Sequence, residues 1–227
     1  MGKGIGDVVT LWGGAGMNAL PPPEFAQLRG YWEGLRPARG LPRRADIDPR
    51  GIAAILDRVL LVERIAPGHA RIRLAGMRAC DLLGMELRGM PLSALVLPGS
   101  RPGFATALES VFATPAIGDF TFEGERGLAR PALSARLLLL PVTGQSGAPD
   151  RALACLACEG QAGRAPRRLG LLRATHAPIP GLAPLPAPVS TPVPSPVPSP
   201  VPGLAEPPAA FTPAPGRPHL RLVGRGD

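Results

Sequence analysis

The chain has 227 residues, with 25 Lys and Arg against 17 Asp and Glu, 31 prolines, 29 glycines and three cysteines. The formal charge of +8 is unevenly placed, since residues 1–160 hold 18 basic against 15 acidic side chains while 161–227 hold 7 against 2; with no aromatic-interleaved basic stripe, this argues against nucleic acid as a partner. No apolar run reaches the ~20 residues of a membrane helix, the N-terminus lacks the apolar region of a signal peptide, and an odd number of cysteines argues against a disulfide framework, so the expectation is a cytoplasmic protein without a membrane partner.

Residues 1–24 are Gly-rich and close on Pro21-Pro22-Pro23, which reads as a flexible arm with at most a short strand around Val8–Leu11. Gly2, Gly4 and Gly6 mimic part of a dinucleotide fingerprint, but no strand precedes them and no helix follows. From Phe25 to Leu35 the apolar residues Phe25, Leu28, Tyr31, Trp32 and Leu35 recur at helical spacing, forming one stripe that faces a core or a partner. Leu28, Tyr31, Trp32 and Leu35 are the candidate dimer interface. Asp48 and Pro49 then open a second helix with buried face Ile52, Ile55, Leu56 and Val59, Asp48 capping the free amides and Pro49 losing no hydrogen bond at the first position. Pro42-Arg43-Arg44 with Asp46 and Asp48 suits either local ion pairing or an anion site.

VLLVERI (59–65), a turn over 66–69 and ARIRLAG (70–76) read as a hairpin, with Ile72 and Leu74 alternating against Arg71 and Arg73. A short helix over 77–83 follows. Its end and the brief turn after it are each closed by a glycine, Gly84 and Gly89, the residue that takes the left-handed conformation at least cost. A longer helix spans 101–112, with Phe104, Ala107, Leu108, Val111 and Phe112 on one stripe, and Thr114-Pro115 stops it. Three strands complete the domain, at 117–125, 132–142 and 151–160. The order defines an α+β fold: a five-stranded antiparallel sheet with short helices on one face.

This order, with LAGMRACDLLGMELRGMPLSALV after the hairpin, resembles a PAS domain. Leu82, Leu83, Gly84, Leu87, Gly89 and Leu92 match the family's pattern in the helical connection. More narrowly, YWEGLR (31–36) followed by LPRRADIDP (41–49) resembles a PAS-like regulatory subfamily of alphaproteobacteria. The resemblance covers residues 25–160 and implies a sensory or interaction module that dimerises and has a pocket between sheet and helices. It names no cofactor. Haem and flavin are disfavoured, because the helices carry no axial histidine and Cys80 lies in ACDLLG rather than in the motif of the flavin photoreceptors.

The candidate ligand pocket is the space where Phe104, Leu108 and Val111 face Leu74, Phe120, Phe122, Leu137 and Leu139; the same side chains could equally fill a core. On the other face of their strand, Leu138 and Leu140 need a cover, either a partner subunit or the helix 25–35. Cys155 and Cys158 have CxxC spacing but lie on a strand, where an offset of three sends the thiols to opposite faces; core packing is the reading, with redox or zinc chemistry the rival. His69 is a solvated turn residue, and with His176 and His219 placed outside the fold a nucleophile–histidine arrangement has almost no material. Glu123 and Glu125 are read as a solvated face. No catalytic residue and no metal ligand is assigned.

Residues 161–227 read as a disordered, basic, Pro-rich tail. Sixteen prolines fall between Pro178 and Pro218, favouring extended polyproline geometry, and the terminal HLRLV either adds a strand to a partner's sheet or stays disordered. The resulting expectation is a non-catalytic regulatory module, a homodimer or the partner of another protein, with a small apolar ligand as its possible signal. The rivals are a structural adaptor acting through the tail and a small α+β enzyme. With no output domain recognised, the output is expected from another protein.

Overall fold

The computed structural model describes residues 21–38 and 40–182. The expected arm strand at 8–11, the polyproline spacer beyond 182 and the terminal HLRLV lie outside the described residues. Helix α1 (Pro23–Leu35) is followed by a 3-10 segment (Pro49–Arg58), the hairpin β1 (Val59–Ala66) and β2 (His69–Ala75), and α2 (Met77–Leu83). Two 3-10 turns (Leu92–Leu95 and Pro98–Ser100) lead into α3 (Arg101–Ala113), and β3 (Ala116–Gly124), β4 (Leu133–Val142), β5 (Arg151–Gly160) and β6 (Leu169–Pro178) complete the order.

The sheet has six antiparallel strands in the order β2-β1-β5-β4-β3-β6, not five. The additional strand, β6, falls within the segment that composition assigns to the tail, and it pairs with β3 from Ala116↔Pro178 to Gly124↔Leu169. Its alternation is hidden by a register shift between Thr121 and Phe122, which leaves Leu172 as the extra residue and turns it outward, about half exposed. A reading at period two breaks down across such a bulge.

Helices cover both faces rather than one. On the first face α2, the Leu92–Leu95 turn and α3 pack over Leu60, Val62, Ile72, Phe120, Phe122, Leu137, Leu139 and Leu156. On the second, Phe25, Leu28 and Trp32 of α1, with Ile52 and Ile55, cover Leu138, Leu140, Val142, Leu153 and Cys155. Of the two covers open for Leu138 and Leu140, helix α1 is the one present. Trp32 is fully buried, and its indole N–H donates to the Pro141 carbonyl at 3.0 Å.

Asp48 and Pro49 start their helix as the capping argument requires, the Asp48 carboxylate accepting from the Arg50 N–H at 2.9 Å. The helix is 3-10, however, and non-helical at Ile52. With three residues per turn, Ile52 and Ile55 align towards the core and Leu56 falls off that face, which leaves it exposed rather than buried. Gly84 ends α2 in the left-handed region at φ 70° and ψ 24°, and Gly89 has φ 87°. Ser100, at the start of α3, makes no cap bond within the helix; its hydroxyl accepts from the Leu171 N–H of β6 at 3.2 Å.

Because Trp32 fills the second core from within the same chain, Trp32→Ala should destabilise the protein by about 3–5 kcal/mol. Chemical unfolding monitored by circular dichroism checks this. The loss should not change with protein concentration, as it would if the side chain sat between subunits.

Candidate functional site

Between α3 and the sheet, most of the candidate pocket residues pack in one buried cluster. Phe104 meets Phe120 and Phe122 with ring centroids 5.5 and 6.1 Å apart, and Phe120 and Phe122 lie 6.4 Å apart. Leu108, Val111, Leu137 and Leu139 close the remainder, all buried. Seven of the eight candidate pocket residues therefore converge on one cluster. The eighth, Leu74, does not. The β1–β2 register moves from Leu61↔Leu74 to Val62↔Ile72, so Arg73 is an inserted residue and Leu74 passes to the second face, 43% exposed.

The candidate interface is likewise divided. Leu28 and Trp32 are fully buried inside the chain, while Tyr31 and Leu35 are half-buried. The Tyr31 hydroxyl donates to the Asp48 carbonyl at 2.9 Å and accepts from the Asp48 N–H at 2.7 Å, tying α1 to the 3-10 segment. Arg36 stacks 5.2 Å from the Trp32 ring centre. The apolar stripe is thus occupied by the chain's own sheet.

Cys155 packs in the second core, whereas Cys158 is exposed and lines a cleft with Arg58, Arg78 and Asp81. The two thiols lie on opposite faces. Burial pushes the Cys155 thiol up to about 12, far from thiolate chemistry at neutral pH. Among the described residues, no group of three or more His, Cys, Asp and Glu is placed to hold a metal ion. Glu123 pairs with Arg126 at 2.6 Å and Glu125 with Arg130 at 2.8 Å. Arg43 pairs with Asp46 through two 3.0 Å bonds, the local alternative to an anion site.

His176, read from sequence as lying outside the fold, is on β6. Its ring packs edge-on to Phe120 at 6.0 Å, and its Nε2 is 2.8 Å from the Ala107 carbonyl. Two further features carry no sequence signal. Arg64 on β1 makes a bidentate pair with Glu109 on α3 at 2.6 and 3.0 Å, and Glu109 also accepts from the Gly68 N–H at 2.8 Å, so one carboxylate locks the hairpin tip to the helix. Burial pushes the Glu109 carboxyl up, but Arg64 and the Gly68 amide outweigh it and hold it below its ordinary value. Arg167, in the connection between β5 and β6, is fully buried.

An antiparallel sheet whose helical connection reverses at two left-handed glycines, with the long helix α3 packed on the first face, defines an α+β module. The PAS domain model matches residues 21–157, more than half of the chain, and the chain belongs to the PAS domain family. Strand β6 lies beyond the matched residues. No curated protein matches the chain. PAS domains are generally non-catalytic sensory or regulatory modules. No helix among the described residues is long and apolar enough to cross a membrane.

The raised Cys155 pKa fixes the sign of a pH effect. The thiol has its ordinary value of 9.0 when unfolded and about 12 when folded, so its contribution is fully present below pH 9 and is lost as pH rises through that window. Stability measured by urea unfolding should fall between pH 9 and 11 more steeply in the wild type than in Cys155→Ala. Equal slopes would show that the thiol is not held neutral by burial.

Proposed function

We propose that the chain is a sensory or regulatory module without catalysis, which acts by pairing with a second copy of itself. The apolar stripe of α1 is already used inside the chain, so the pairing surface lies elsewhere. The observation that carries this reading is a corner of exposed apolar side chains around Gly76. Leu74 precedes this glycine and Met77 follows it, 43% and 70% exposed. The backbone of Leu56, also exposed, passes the same glycine, its carbonyl oxygen 2.6 Å from where a Cβ on Gly76 would lie.

On the same second face, Leu61 is opposite Leu74, and beyond them Glu63 is shared by Arg73 and Arg151, the latter at 3.0 Å. An apolar centre with a charged margin is the anatomy of a protein interface. Solvent exposure of the large apolar residues Leu74 and Met77 on either side of Gly76 is costly for a lone chain, and a two-fold contact buries them on both copies.

Native mass spectrometry and sedimentation of the full chain test the reading. The wild type should be a dimer, and Leu74→Glu with Met77→Glu should convert it to a monomer of unchanged fold. A wild type that remains monomeric at every concentration defeats the proposal.

A further inference from the structure

Away from the cluster at Phe104, Phe120 and Phe122, a second place is shaped for a ligand. A cleft of about 300 Å³ opens between the end of α2, the Leu92–Leu95 turn and residues 166–168. Leu83, Met85, Met90 and Ala94 give it an apolar wall, and Arg101 and Arg168 line it as well. Methionine is the side chain best able to adapt such a wall to a flexible chain.

Its charge is one-sided. Arg101 uses Nε to donate to the Val96 carbonyl at 3.2 Å, and Arg168 is exposed; among the described residues neither guanidinium meets a carboxylate. Between Pro166 and Arg168, both on the cleft, lies the fully buried Arg167. Its two terminal nitrogens donate to the carbonyls of Ala162 at 2.6 Å and Pro131 at 2.8 Å, while its Nε has no partner. Arg167 thus holds the connection between β5 and β6 through carbonyls, and among the described residues it meets no carboxylate.

We infer that this cleft binds an amphipathic carboxylate, a short alkyl chain lying along Leu83, Met85, Met90 and Ala94 with its head group held by Arg101 and Arg168. The inference rests on the sensory reading of the chain and gives that reading a chemical signal. Arginine suits the role because its planar fork meets a carboxylate through two parallel bonds. Arg167, between the cleft residues Pro166 and Arg168, fixes this wall through its backbone N–H, which donates to the Leu82 carbonyl at 2.8 Å.

Calorimetric titration of the full chain with sodium octanoate, below its micellar concentration, tests this against octan-1-ol, which has the same tail and no charge. Octanoate should saturate at one molecule per chain, bind more tightly than octan-1-ol and weaken with added salt. Arg168→Glu should weaken octanoate about tenfold or more and leave octan-1-ol unchanged. Should Arg168→Glu fail to fold, Arg168→Gln carries the same comparison. Absence of saturable octanoate binding, or equal affinity for octanoate in wild type and variant, overturns the inference. Native mass spectrometry of the same samples separates the two proposals: a monomer that binds octanoate defeats only the pairing, and a dimer that does not bind it defeats only the cleft.

Discussion

Strands β4 and β5 are apolar on both faces, and the rest of the molecule follows from that constraint. From Leu137 to Val142 six consecutive residues are buried, and from Ala152 to Ala157 another six. A strand in this condition needs a layer on each side. Helix α3 and the α2 connection supply one, and α1 with its 3-10 extension supplies the other. The helix that leads into the sheet is therefore a structural part of the domain, joined to it by the Trp32 indole and the Tyr31 hydroxyl.

Burial on both faces also divides the molecule by role. The centre of the sheet is occupied by side chains that touch one another, with Phe104, Phe120 and Phe122 in mutual contact on the first face. The exposed apolar corner at Gly76 and the cleft beside the connection between β5 and β6 both lie at its margins. In the PAS family the sheet and the helical connection are the shared frame. Here the individual features sit around that frame, and β6 lies beyond the matched residues altogether.

Much of this was legible in the sequence, and what was not has identifiable physical causes. Strand and helix positions follow from periodicity, and the reversals follow from Gly84 and Gly89. Two bulges defeat the period-two reading. At Arg73 an inserted residue carries Leu74 out of the core; at Leu172 another conceals a whole strand. Tertiary partners are equally invisible along the chain. Nothing near Glu109 indicates Arg64, 45 residues earlier, and nothing in RAPRRLG singles out Arg167 as the buried arginine of the three. The α1 stripe was readable as apolar, but whether it faced its own sheet or a second subunit depended on the second face of β4, where Leu138 and Leu140 demanded a cover.

The connection between α2 and α3 has a further consequence for the sheet as a whole. At one end, Gly89 donates its N–H to the Ile72 carbonyl and Met90 accepts from the Ile72 N–H, occupying the outer side of β2. At the other, Leu97 donates to the Leu169 carbonyl and Ser100 accepts from the Leu171 N–H, occupying the start of β6. One continuous segment of a dozen residues thus occupies the middle of one rim of the six-stranded sheet and the start of the other. Exposed rims are where sheets recruit foreign strands and grow into aggregates; this crossbar blocks part of each with a single stretch of chain.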